Sequence, residues 1–304
     1  MKSSTPALFA AGLLAQHAAA HSIFQQASSG STDFDTLCTR MPPNNSPVTS
    51  VTSGDMTCKV GGTKGVSGFC EVNAGDEFTV EMHAQPGDRS CANEAIGGNH
   101  FGPVLIYMSK VDDASTADGS GDWFKVDEFG YDASTKTWGT DKLNENCGKR
   151  TFNIPSHIPA GDYLVRAEAI ALHTANQPGG AQFYMSCYQV RISGGEGGQL
   201  PAGVKIPGAY SANDPGILVD IWGNDFNDPP GHSARHAIII ISSSSNNSGA
   251  KMTKKIQEPT ITSVTDLPTD EAKWIALQKI SYVDQTGTAR TYEPASRKTR
   301  SPRV

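Results

Sequence analysis

Residues 182–192, QFYMSCYQVRI, alternate as an extended chain does. At a period of two, Phe183, Met185 and Cys187 fall on one face, and Gln182, Tyr184, Ser186 and Tyr188 on the other. The first set suits a core that holds a disulfide. The second lines up a glutamine and a phenol on what reads as an outer surface. Similar segments precede it: Glu77–His83 (EFTVEMH), 103–109, 122–126 and 162–171 are rich in Val, Ile, Phe and Tyr and bounded by Gly, Pro and Asn. No long helical period runs between residues 61 and 230. The expected fold is all-β: an immunoglobulin- or fibronectin-like antiparallel β-sandwich with long loops, followed by a poorly ordered C-terminal tail.

Composition agrees with that class. Of 304 residues, 31 are Gly and 18 are Pro, and only 18% are charged, a profile of loop-rich β proteins. Lys and Arg number 25 against 31 Asp and Glu, a net charge of −6, so no nucleic-acid partner is expected. The charge is unevenly spread: residues 251–304 carry ten basic and six acidic side chains, and residues 1–250 fifteen and twenty-five.

Residues 1–20 read as a secretory signal peptide, with Lys2, the short apolar run PALFAAGLLA at 6–15 and a small-residue cleavage site at Ala18–Ala20. That run is too short to span a bilayer, and no membrane association is expected. Cleavage after Ala20 makes His21 the first residue of a secreted protein. In that oxidising context the six cysteines, spaced without any CxxC pair, point to disulfides rather than to zinc, with fifteen pairings open. Sequons stand at Asn44 and Asn246, the first weakened by Pro47.

Of eight histidines, His17 leaves with the leader, and His232 and His236 lie past the apparent end of the domain. His83 alternates within a strand and His157 sits between prolines, both structural or solvent-exposed settings. His21, His100 and His173 remain. A terminal His offers one metal two nitrogens, its α-amine and imidazole Nδ1, a chelate no internal His can form. His100 follows a Gly-rich loop in GGNHFGP, where Gly102 and Pro103 restrain its direction; His173 ends a strand in IALHTA.

The segments HSIFQQ, HFGPVLIYMSKV, GDYLVRAEAIALHTA, GAQFYMSC and LPAGVKIPGAYSANDPGILVDIW occur in that order. Together they resemble the fungal lytic polysaccharide monooxygenases of auxiliary activity family 9, formerly glycoside hydrolase family 61, over about residues 21–228. The resemblance implies one copper ion held by the amine and imidazole of His21 and the imidazole of His100, with Tyr184 at a longer axial distance. It makes His173 and Gln182 the hydrogen-bonding pair beside the metal. It matches Tyr210 to a surface tyrosine that lies against sugar rings, and Cys58 and Cys187 to a common disulfide. Pairing the rest by order suggests Cys38–Cys70 and Cys91–Cys147.

Three nitrogen donors with open positions suit Cu(II) on chemical grounds alone, whereas zinc would accept the same nitrogens without redox chemistry. Both imidazoles and the amine must be deprotonated to bind, so affinity falls in acid. The implied reaction is oxidative cleavage of cellulose or a related β-1,4-glucan at C1 and/or C4 by a monomer, using an external electron donor and O2 or H2O2. Hydrolysis would need two carboxylates flanking the bond, roughly 5–10 Å apart, and no such pair stands out. The competing reading is a non-catalytic polysaccharide- or copper-binding protein on the same fold. The complete set His21, His100, His173, Gln182 and Tyr184 favours the enzyme.

After about residue 228 the texture changes. Residues 229–304 read as a linker and an added fragment, not as an independent domain. From about Asp266 the chain resembles the N-terminal lead-in of a Nudix ADP-ribose pyrophosphatase, without that family's metal-binding motif. No Nudix activity is expected, and the juncture reads as a merger of two neighbouring genes or a misread splice, the alternative being a true low-complexity extension.

Overall fold

The computed structural model describes residues 21–223 and, further on, the backbone of two short strands. Twelve strands and one short helix fall in the first stretch: β1 (Ile23–Ser29), β2 (Thr32–Asp35), β3 (Thr39–Arg40), β4 (Cys70–Asn73), β5 (Glu77–His83), β6 (Val104–Lys110), β7 (Phe124–Phe129), β8 (Tyr131–Asp132), β9 (Thr137–Trp138), α1 (Gly139–Glu145), β10 (Lys149–Asn153), β11 (Gly161–Ala171) and β12 (Gln182–Ser193). They form a sheet in the order β10-β5-β1-β2 and a larger one in the order β3-β12-β11-β6-β7, with β4 alongside β12. All of these pairings are antiparallel except β4 with β12. The β-sandwich is thus as expected. No helix among the described residues is long and apolar enough to cross a membrane.

Between the sheets, Phe24, Phe78, Val80 and Met82 of the smaller sheet meet Ile106, Met108, Val165, Tyr184 and Tyr188 of the larger one. This inner core is where the face of β12 expected to look outward goes. Tyr184, Ser186 and Tyr188 are fully buried, and so are Phe183, Met185 and Cys187 on the opposite face. Alternation sorts residues into two faces, but does not say whether a loop covers one of them. Here the long loops do. Met56, Trp123, Ile206 and Ile217 lie over Leu105, Tyr107, Leu164, Phe183 and Met185, building a second core on the back of the larger sheet. Met56, Met82, Met108 and Met185 thus all end in apolar interior.

Loops laid over a sheet bring carbonyls that water can no longer reach, and each needs a donor. Buried side chains of the larger sheet supply them. Arg40 donates to the carbonyls of Gly62, Ala114 and Ala117. Arg166 donates to those of Met56 and Thr57 and pairs with Glu168, which balances its charge in the interior. Gln189 accepts from Val66 N–H and donates to the carbonyls of Val66 and Gly68. Disulfides Cys38–Cys70, Cys58–Cys187 and Cys91–Cys147 add covalent ties, and no described cysteine is free.

The signal peptide, the sequon at Asn246, His232, His236 and the juncture after residue 228 lie outside the described residues. Asn44 is exposed. In the second unit, residues 245–304, β13 (Ile280–Val283) and β14 (Ala289–Tyr292) pair as an antiparallel hairpin.

Candidate metal centre

Register brings the distant histidines together. Strand β11 pairs with β6 up to Ala169 opposite Val104. The ladder then continues beyond the strands: Ile170 N–H donates to the Pro103 carbonyl at 3.0 Å, and Leu172 N–H to the Phe101 carbonyl at 2.8 Å. One residue further in each direction stand His173 and His100, with ring centroids 4.3 Å apart. Gly102 makes this approach possible, because a Cβ there would lie 1.7 Å from the Ile170 carbonyl oxygen. On the other side of β11, the β12 register sets Ala171 opposite Gln182 and Ala169 opposite Tyr184. Hence Gln182 and Tyr184 arrive at the same end of the sheet.

Hydrogen bonds then orient the side chains. His100 is buried, and its Nδ1 lies 2.6 Å from the Gly97 carbonyl, which can only accept. Nδ1 therefore carries the proton, and Nε2 is the nitrogen able to ligate a metal. The Tyr184 hydroxyl donates to Gln182 Oε1 at 2.7 Å, and its ring stands edge-on to His100, centroids 5.9 Å apart. Burial pushes the Tyr184 phenol well above its ordinary value, so it stays neutral. His173 is held below its ordinary value, first by burial and then by His100 beside it. Its buried Nδ1 has no hydrogen-bond partner among the described residues. That leaves an imidazole nitrogen at the site with room for a hydrogen bond to a further group.

His21 is exposed at the start of β1. In the uncleaved chain its nitrogen is a peptide amide and cannot serve as an amine ligand; cleavage after Ala20 would create the donor. Its neighbour Ser22 donates through Oγ to the Ala95 carbonyl at 2.8 Å, at the start of the stretch that leads to His100. Among the described residues no three His, Cys, Asp or Glu side chains gather into a metal cage. A centre built from two imidazoles and a terminal amine needs none, so the donor set fits one copper ion.

Other residues take different places. His83 is buried and bonded to Glu81, a structural role. Tyr210 is half-buried, with its hydroxyl donating to Glu168 at 2.6 Å and its ring 5.7 Å from that of Phe183. The aromatic exposed beside the site is Trp222, whose Nε1 donates to the His173 carbonyl at 2.9 Å and whose ring meets Phe101 edge-on. The end of the segment ILVDIW was the available signal for it. Asn144, which holds the His100 loop, has no such signal; its role depends wholly on what the fold brings to it.

Residues 17–228 match the model of Auxiliary Activity family 9 (formerly GH61). An AA9 family lytic polysaccharide monooxygenase E of Botryotinia fuckeliana is 59% identical over 202 residues, covering 66% of this chain and 84% of that protein. Among solved structures, CvAA9A superposes with a TM-score of 0.64 at 33% identity, over 69% of this chain and 95% of that one. A cellulose-active polysaccharide monooxygenase from M. thermophila superposes with a TM-score of 0.57 at 29% identity, over 69% of this chain and 94% of that one. This chain belongs to Auxiliary Activity family 9, the copper-dependent lytic polysaccharide monooxygenases.

Proposed function

We propose that the chain is secreted, is cleaved after Ala20, and cuts cellulose or a related β-1,4-glucan by oxidation at C1 or C4, drawing electrons from an external donor. The juxtaposition of His100, His173, Gln182 and Tyr184 at one end of the larger sheet carries the reading. The likeness to a cellulose-active relative supports the choice of polymer. The leader, with three disulfides in the described residues, supports export.

When bound, copper cycles between Cu(II) and Cu(I) and supplies the activation of O2 or H2O2 that removes hydrogen from a sugar carbon. The protein would hold it through the amine and imidazole of His21 and Nε2 of His100. The neutral Tyr184 hydroxyl is tied to Gln182 and so would offer at most a weak oxygen donor to the metal. His173, half-buried beside His100 with its pKa held below the ordinary value, would take or hold a proton or a hydrogen bond at its buried Nδ1. Trp222, half exposed beside it, offers a flat apolar ring to the polymer.

Incubating the copper-loaded mature protein with cellulose, ascorbate and a little peroxide tests the reading by mass spectrometry of the products. Aldonic acids or 4-keto sugars are expected, and both are expected to vanish in His21→Ala. Native oligosaccharides alone would refute it.

A further inference from the structure

Helix α1 and the residue just past its C-cap hold the loop that carries His100 at three points. Thr140 and Asn144 lie four residues apart and share a face of the helix, and Cys147 follows beyond its end. Thr140 N–H donates to the Gly102 carbonyl, and Thr140 Oγ1 accepts from Gly102 N–H, each at 3.1 Å. Asn144 Oδ1 accepts from Ile96 N–H at 3.0 Å while Nδ2 donates to the Ile96 carbonyl at 3.2 Å. Cys147 is bonded to Cys91. The loop therefore runs back along the helix, and His100 sits between the Gly102 and Ile96 ties.

The Ile96 tie is the central one. The residue after it, Gly97, gives its carbonyl to His100 Nδ1. The residue before it, Ala95, gives its carbonyl to Ser22, next to His21. Both segments that carry an expected metal ligand thus lean on one three-residue stretch, whose middle peptide is held by Asn144. A carboxamide offers a donor and an acceptor in one plane, as a paired strand does. Here it replaces a ladder partner where no strand exists. The Ile96 side chain is buried, so losing the clamp strands two backbone groups at the edge of the interior.

We propose that Asn144 is a positioning residue of the metal centre: by fixing the Ile96 peptide it sets the aim of His100 and the seat of the N-terminal segment. This rests on the copper reading above. The tests are Asn144→Ala, Asn144→Asp, which keeps the acceptor and loses the donor, and Glu145→Ala, an exposed neighbour paired with Lys142. Cu(II) affinity of the mature proteins, the electron paramagnetic resonance of the Cu(II) form and amide exchange in the metal-free wild type are measured.

Copper affinity is expected to fall about tenfold or more in Asn144→Ala, less in Asn144→Asp and not at all in Glu145→Ala. The resonance parameters are expected to shift in the same order, and the wild-type Ile96 amide to be protected. Wild-type affinity and spectrum in Asn144→Ala would overturn the proposal. If that variant does not fold, unchanged copper binding in Asn144→Asp or rapid exchange at wild-type Ile96 would do so. A wild type that binds no copper would overturn the copper reading itself, a separate outcome.

Discussion

Glu81 is a carboxylate that folding makes hard to protonate. Burial alone would raise its pKa, but the His83 ring at 2.7 Å and the two-pronged Arg89 guanidinium favour the charged form and hold it at about 2. Its ordinary value is 4.5, so between the two the unfolded chain binds a proton that the folded chain does not. The contribution to stability is complete above about pH 4.5 and is lost as pH falls towards about 2. Thermal melts across that window are expected to show a steep loss of Tm in the wild type and a shallower one in Glu81→Gln, whose Tm at neutral pH is lower. An unchanged slope in the variant would remove Glu81 from the account. The strand setting of His83 was readable as structural from its alternation. Its partners were not, because Arg89 reaches Glu81 only once the loop after β5 has folded back.

At the scale of elements, the site is a consequence of register. His100 meets His173 because two backbone hydrogen bonds extend the β6–β11 ladder beyond the strands, and Gly102 lets them form. Gly102→Ala must push the β-carbon against the Ile170 carbonyl or move one chain away. About 1–3 kcal/mol of destabilisation is expected, several degrees of Tm, with an altered Cu(II) resonance because His100 shifts. A variant that melts and binds copper like the wild type would contradict the register argument. The same elements show how far the amino-acid pattern could be read. Strands β5, β6, β11 and β12 were visible within a residue or two, since their alternation is clean. β7 begins two residues later than its pattern suggested. β1 was missed because a bulge between Phe24 and Gln26 breaks its period and Gln25 and Gln26 are polar yet buried. Asn144 was beyond reach, since nothing local marks a carboxamide that acts on a peptide 48 residues away.

Over residues 21–223 the protein is built around one large sheet with apolar matter on both sides. The smaller sheet covers its inner face, and loops tied down by Arg40, Arg166 and Gln189 cover the other. Residues 21–250 carry fourteen basic and twenty-five acidic side chains, so that stretch is more acidic than the total charge suggests. The double covering also bears on durability. A protein whose surface chemistry releases oxidants is itself within their range, and thioether sulfur is among the first groups to suffer. Met56, Met82, Met108 and Met185 are all sealed away, leaving Met41, half-buried, as the least protected of the described methionines. Peptide mapping after graded peroxide exposure is expected to find sulfoxide at Met41 well before the other four; early oxidation of Met185 would show that the loop layer opens. The loops that seem to be surplus chain on a simple sandwich thus act as armour for Met56 and Met185, as the facing sheets do for Met82 and Met108.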